Sequence, residues 1–278
     1  MERGFKMTTA GDHPLKDLRI LIKGAGEMGT GIAHTLWQAH LLVWMTEIPN
    51  PLAVRREVSF CEAIYEGTKE VEGVLAKYVP SEDEIHPTWK EGMIPVLIDP
   101  EAKSRETLMP HVLVDAILAK KNLGTKITDS SLVIGLGPGF TAGRHVHVVI
   151  ETQRGHDLGR LIFDGEAEPN SGVPGEILGF SEERVLRAPT AGVFRAYKKI
   201  GDLVKEGEAV ATVGDFPVKA RVDGVLRGIV RDGTHLAEMM KAGDIDPRGK
   251  RAYCSSISDK ARAIAGSVLK AILIHFNG

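Results

Sequence analysis

Little in this sequence points toward a membrane, a nucleic acid or a metal. Only 2 of its 278 residues are cysteine, Cys61 and Cys254, and they lie far apart. That argues against a disulfide framework, and no C-x-x-C or clustered Cys/His pattern supplies a metal site. No apolar run reaches membrane-spanning length, and the opening "MERGFKMTTAGDHPLKD" lacks the apolar stretch of a secretion leader. There is no long basic block, and the formal net charge is -2. Both argue against nucleic-acid binding and a polybasic membrane contact. These absences predict a cytoplasmic protein without nucleic-acid or membrane partners. Met7 reads as an alternative start, with the residues before it as a disordered arm.

What is present is ordinary for a globular protein: 43% hydrophobic and 26% charged residues. The length suits two domains, each able to bury a core. In the first part, short apolar runs ended by turn residues alternate with helix-like segments. Strands are expected at Leu18 to Lys23, Leu41 to Thr46, Ile94 to Asp99, His111 to Ile117 and Ser131 to Gly139. "KEVEGVLAKYV" reads as a hairpin turning at Gly73, and "SEDEI" as a helix start. "LAVRREVSFCEAIYEG" has apolar residues at roughly helical spacing, and "VHVVIETQRGHDLGRLIFDG" reads as two strands around a glycine turn. The fold class expected is α/β: a Rossmann-like, mostly parallel sheet covered on both faces over residues 18–165.

After Glu166 the composition shifts to Pro and Gly, then to short strands. "RAPTAGVFRAYKKIGDLVKEG" is echoed by "KARVDGVLRGIVRDGTHLAEM". The echo predicts two pseudo-symmetric halves of one small all-β module within residues 166–250. "SSISDKARAIAGSVLKAILIHF" closes the chain, with Ser256 and Asp259 in capping-box spacing. It predicts a helix within 256–275 that packs back on the core.

One loop carries chemistry. "ILIKGAGEMGTGIAHTL" sets Gly24, Gly26 and Gly29 as G-x-G-x-x-G between a strand and a helix. Gly24 permits a tight turn, Gly26 lets a phosphate approach the backbone, and Gly29 lets the helix pack close. The N–H groups of a helix start favour an anion. Glu47, at the end of the second strand, stands where a ribose hydroxyl finds a carboxylate. The alternative is a glycine turn kept for strand–helix packing. "GLGPGFTAGRH" is a second glycine loop. Gly137 and Gly139 could cradle an anion, with Arg144 as counter-charge. Asp115 ends a strand beside the same expected crevice. His145 and His147 form an H-x-H pair without a near third ligand, and "RGHDLGR" is either a polar site or a solvated turn. Cys254, ahead of the last helix, is the more accessible thiol on this reading, though not a nucleophile.

"IKGAGEMGTGIAH", "MTEIPNPLAVRREVSFCEAIYEG", "IPVLIDP", "LVDAILAKKN", "VIGLGPGFTAG", "VIETQRGHDLGR", "RAPTAGVFR" and "ISDKARAI" together resemble the accessory-protein family found with selenium-dependent molybdenum hydroxylases. The resemblance covers nearly the whole chain. It implies maturation or supply of such a hydroxylase, with the hydroxylase or its maturation factors as partners. The bound cofactor would be NAD(P) or a molybdopterin dinucleotide. The family loop runs K-G-A-G-D-x-A-T-G; here Glu27 and Gly29 give a fuller dinucleotide fingerprint. The repeat resembles biotinyl/lipoyl-type barrel-sandwich modules. The hairpin tip that carries their lysine falls here at Val213 to Phe216, without one, so no covalent biotin or lipoate is expected. Two other classes stay open: an NAD-dependent oxidoreductase, and a non-enzymatic interaction protein.

Overall fold

The computed structural model describes residues 15–277; the Met7 reading lies outside them. By its internal contacts the chain divides into two units. Among the described residues, the first comprises 15–49, Phe60–Asn170 and 258–277; the second comprises Asn50–Ser59 and Ser171–Ile257.

The first unit is built on the apolar runs. Its strands are β1 (Arg19–Lys23), β2 (Leu42–Glu47), β3 (Thr68–Val71), β4 (Val74–Val79), β5 (Ile94–Ile98), β6 (Val112–Asp115) and β7 (Leu132–Leu136), then β8 (Thr141–Ala142), β9 (Val148–Ile150), β10 (Leu161–Ile162) and β11 (Gly165–Glu166). Nine of them form one sheet in the order β10-β9-β7-β6-β1-β2-β5-β4-β3. All neighbours are parallel except the outer pairs β9/β10 and β3/β4. The near-continuous burial of β1, β2, β6 and β7 follows, because a parallel sheet is covered on both faces. From β1 the chain steps one way to β2 and β5; from β6 it steps the other way to β7 and β9. The sense of winding therefore reverses between β1 and β6.

The helices of this unit are α1 (Glu27–Gln38), α2 (Ala63–Glu66), α3 (Ile85–Lys90), α4 (Ser104–Leu108) and α5 (Asp259–Phe276). Leu21, Trp44, Leu113 and Val133 lie side by side in register and share a core with Ile85 and Trp89 of α3. Lys23 and Asp115, two residues on from Leu21 and Leu113, belong to that same face. α1 and α5 pack together through small residues: a Cβ on Gly31 would come within 2.9 Å of the Ala261 Cβ. α5 buries Ala261, Ile264, Ala265, Val268, Ala271 and Ile272, the 3–4 spacing of an amphipathic stripe.

Two local expectations are corrected. The cap of α5 is Ser258, not Ser256: its Oγ accepts the Ala261 N–H at 3.2 Å. Ser258 stands in extended backbone directly before the first helical residue, so its hydroxyl reaches the third N–H. Asp259 consequently sits at the first helical position, paired with Arg154 at 2.6 and 2.9 Å. The helical spacing in "LAVRREVSFCEAIYEG" yields only short turns and the four-residue α2. Ser59 is extended (φ -131, ψ 116) and interrupts any longer helix.

The second unit contains β12 (Val185–Arg187), β13 (Gly192–Ala196), β14 (Leu203–Val204), β15 (Ala209–Val213), β16 (Phe216–Lys219), β17 (Gly224–Ile229), β18 (His235–Leu236) and β19 (Lys241–Asp246). They form two antiparallel sheets, β12-β19-β17-β14 and β16-β15-β13-β18. The repeated segments start the equivalent strands β13 and β17. β14, from the first half, pairs with β17 of the second; β18, from the second, pairs with β13 of the first. Each half thus lends a strand to the other's sheet, around a core that includes Phe194, Val210, Val213, Leu226, Ile229 and Ile245. β15 and β16 are joined by Gly214 and Asp215, so the hairpin tip carries no lysine. Cys254 lies in this unit and is buried, not accessible. Burial pushes its thiol pKa up, which keeps it protonated at neutral pH.

Candidate functional site

The carboxyl ends of β1, β2, β6, β7 and β9 lie at one end of the parallel sheet. The loop after β1 turns at Gly24, whose φ of +94 only glycine adopts readily. Its N–H donates to the Thr46 carbonyl at 2.8 Å, tying the turn to β2. The three glycines then do different things. A Cβ on Gly24 would press on the Ala116 and Ile117 backbone at 3.2 Å, and a Cβ on Gly29 would overlap the Gly24 carbonyl oxygen. At Gly26, by contrast, a Cβ would meet nothing within 4 Å. Gly26 is the N-cap of α1 and offers no side chain to its first N–H groups. The loop is therefore packed below and bare above.

Glu47 faces this loop. Its Oε2 accepts the Ala25 N–H at 2.9 Å and its Oε1 accepts the Ile48 N–H at 2.8 Å. Burial raises its pKa, and the two backbone N–H bonds pull the other way. A carboxylate offers about four acceptor positions, so two remain for a ligand's hydroxyls.

Asp115 reaches the same end of the sheet but is directed inward. It is 2% exposed; its Oδ2 accepts the Thr125 hydroxyl at 2.6 Å and lies 3.4 Å from Lys23 Nζ. Lys23 Nζ in turn donates to Thr125 Oγ1 at 2.7 Å. Asp115 thus pins β6 to β1 and to the loop that follows, rather than presenting a carboxylate to the crevice. Sequence reasoning passed over Lys23 and Thr125. The visible signal was a lysine ending an otherwise apolar strand.

The second glycine loop is sealed where the first is open. A Cβ on Gly137 would overlap the Thr152 hydroxyl, and one on Gly139 would come within 2.6 Å of the Lys121 backbone. Glu151, also not anticipated, holds this region. It is 3% exposed and accepts the N–H groups of Thr152, Gln153 and Glu168 at 2.6, 2.7 and 2.8 Å. Through residues 116–121 the two glycine loops meet the same segment, at the same end of the sheet.

Arg144 does not join them, which corrects the expectation that it borders the Gly24 crevice. It lies exposed in the turn ahead of β9. Because β9 runs parallel to β7, that turn is at the amino end of the strands, opposite the glycine loops. His145 and His147 each accept a backbone N–H through Nδ1, from Thr141 at 3.1 Å and Val133 at 2.9 Å. Among the described residues no group of three or more His, Cys, Asp or Glu could hold a metal ion. Arg154 of the polar turn is engaged with Asp259. Among the same residues no helix is long and apolar enough to cross a membrane.

No protein-family model matches the chain. Among curated proteins it is similar to "Uncharacterized protein YqeB" of Escherichia coli (strain K12), with 46% identity over 262 residues, 94% of this chain. The chain spans about half the length of that relative, 48%. Among solved structures, one similar chain is the succinylglutamatedesuccinylase/aspartoacylase from Rhodobacter sphaeroides, at 14% identity and TM-score 0.26, covering 82% of this chain and 85% of that one. Another is an aspartoacylase family protein from Mesorhizobium loti, at 13% identity and TM-score 0.26, with coverage of 82% and 85%. The product-bound ectoine utilization protein EutE (DoeB) from Ruegeria pomeroyi matches at 16% identity and TM-score 0.22 over 31% of this chain and 28% of that chain. Superpositions this loose carry neither fold nor activity across. Some of these structures bear succinylglutamate desuccinylase or aspartoacylase names, and nothing in the comparisons supports an accessory family of molybdenum hydroxylases. The molybdenum, selenium and maturation reading drawn from sequence resemblance is accordingly withdrawn. The comparisons do not match the oxidoreductase and interaction-protein alternatives either. What stands is a mixed α/β fold with a mostly parallel sheet, three antiparallel sheets among the described residues (β8 with β11, and the two four-stranded ones) and a C-terminal helix.

Proposed function

We propose that the first unit binds a nucleotide, with NAD as its prototype, at the carboxyl end of β1. The observation that carries this reading is the division of labour among Gly24, Gly26 and Gly29: turn, bare surface and tight helix contact. A dinucleotide-binding loop needs those three properties in that order. The winding reversal between β1 and β6 supports a Rossmann-like reading of the sheet, in which ligands sit outside the strand ends at that point. The pyrophosphate would lie over Gly26 at the start of α1, and Glu47 would accept ribose hydroxyls. A carboxylate there disfavours a 2′-phosphate, so NAD should bind more tightly than NADP.

Calorimetry with NAD, NADP, CDP and CTP tests this. Saturable NAD binding that drops about tenfold or more in Glu47→Ala is expected, from the loss of a charge-assisted hydrogen bond worth roughly 1.5–3 kcal/mol. Absence of binding by all four nucleotides would sink the proposal.

For the second unit, the strand exchange between its halves supports a barrel-sandwich reading of the biotinyl/lipoyl type. A carrier lysine must stand at an exposed tip, and this tip holds Gly214 and Asp215. The unit should stay unmodified, and intact mass from the native host checks that.

A further inference from the structure

On the face of the sheet shared by Leu21 and Leu113 there is a cavity of about 200 Å³, lined among others by Lys23, Glu101, Arg105 and Asp129. It is separate in character from the glycine loop, for four charged side chains contribute to its lining, beside uncharged residues such as Leu113 and Leu123. Lys23 is 7% exposed, so its ammonium has given up nearly all its water. An ammonium has three N–H groups. Thr125 takes one at 2.7 Å, and Asp115 stands at the looser distance of 3.4 Å. Arg105 is similar. Its Nη1 serves the Glu101 and Ala102 carbonyls at 3.0 and 2.7 Å, while Nε and Nη2 have only loose ion pairs, to Asp129 at 3.5 Å and Glu106 at 3.6 Å.

Two cations with donor capacity to spare thus border one small space, together with two carboxylates. Asp129 already accepts the Lys126 N–H at 2.8 Å, and Glu101 pairs with Lys103 at 3.0 Å. The signs around the cavity balance. A bare anion would meet Glu101 and Asp129, and a bare cation would meet Lys23 and Arg105. A molecule that carries a carboxylate at one end and a hydroxyl or amine donor at the other satisfies both. The volume equals that of roughly six waters, enough for a ligand the size of a small amino acid or hydroxy acid.

We propose that this cavity binds a small hydroxy- or amino-carboxylate, its carboxylate held by Lys23 and Arg105 and its donor group by Asp129 or Glu101. Lys23 then has two jobs, since it also ties β1 to Thr125.

The test is thermal unfolding of the full chain with glycolate, L-lactate, glycine and L-serine, with acetate as the analogue lacking a donor. A binder at one hundred times its Kd should raise Tm by about 5 °C or more. The shift should persist in Gly26→Val, which blocks the glycine loop, and vanish in Lys23→Met and Arg105→Gln. Should Lys23→Met fail to fold, Arg105→Gln decides, because Arg105 lies at the rim with its side chain 27% exposed. Acetate should act more weakly than glycolate. No shift with any of the four ligands overturns the proposal. So does a shift that is lost in Gly26→Val yet kept in Arg105→Gln, which would place the ligand at the glycine loop. Nucleotide binding is read separately by calorimetry, so either reading can fail without the other.

Discussion

The two glycine loops of the first unit are alike in composition and unlike in what their glycines face. At the β1–α1 junction, Gly24 and Gly29 abut backbone, and a Cβ on Gly26 would meet nothing within 4 Å. In the loop after β7, Gly137 is covered by Thr152 and Gly139 by Lys121. Glycine is needed wherever a chain must pass close to something, and the something can be protein or ligand. Only the space above the Cα separates the two cases. By that criterion the first loop leaves the space above Gly26 that the nucleotide proposal requires, and the second is a packing joint against the segment running past Gly24.

Substitutions that add one methyl group are the sharpest way to break the comparison. Gly29→Ala should be the most damaging, because its Cβ would overlap the Gly24 carbonyl and neither strand nor helix can yield cheaply. A loss of about 4 kcal/mol or more in urea unfolding is expected, if the variant folds at all. Gly139→Ala follows at about 3 kcal/mol, from backbone contacts of 2.6 to 2.9 Å and a φ of +109. Gly26→Ala should cost the least, about 1 kcal/mol or less from the weaker N-cap, since its φ is -71 and its Cβ position is vacant. If Gly26→Ala proved as costly as Gly139→Ala, the two loops would not differ in kind.

The strands were legible because each buried parallel strand is a short, nearly continuous apolar run, and α5 was legible from its stripe. Which end of the sheet a loop occupies was not. Arg144 beside a glycine looks like a counter-charge until the direction of β9 puts it at the amino end. The Lys23–Thr125 contact was also hidden, as its partners are 102 residues apart in sequence. Ser256 and Ser258 are both plausible caps by composition, and only the backbone conformation at Ser258 selects one. That Glu47 ends β2 beside the glycine loop could be read from the strand pattern; its ribose contact belongs to the proposal. Glu151 directly follows a strand, but no spacing rule predicts a carboxylate that serves two N–H groups of its own loop and a third from Glu168.

Those two glutamates extend the comparison. Glu151 is buried and its oxygens are committed to three backbone donors. Glu151→Gln replaces one oxygen by an NH₂ that faces an N–H, and about 2 kcal/mol of stability should go, with a buried donor left unsatisfied. Glu47→Gln should cost less than half of that, because its carboxylate is less enclosed, while NAD affinity falls. Equal destabilisation by the two variants, with NAD binding intact, would make Glu47 a second structural clamp and remove the ribose contact from the proposal.

The smallest expected effect is a pH dependence that belongs to Glu47 itself. Burial raises its folded-state pKa above the ordinary carboxylate value of 4.5. Below 4.5 the group is protonated in both folded and unfolded chains and contributes no slope. As pH rises from there to the folded pKa, the unfolded chain has released its proton and the folded chain still holds one. Stability therefore falls across that window and levels off above it, the reverse of a salt-bridged carboxylate. Glu47→Gln has no proton to release, so the stability difference between wild type and variant should shift against the wild type as pH rises from 4.5 toward 7. Bound NAD should oppose that shift, because ribose hydroxyls donate to the ionised form and lower its pKa. Urea midpoints of both proteins across this range, with and without NAD, measure it. A difference that is flat with pH, or that grows in favour of the wild type, would mean that the Ala25 and Ile48 N–H groups outweigh burial, and that the open loop is electrostatically prepared for a carboxylate before any ligand arrives.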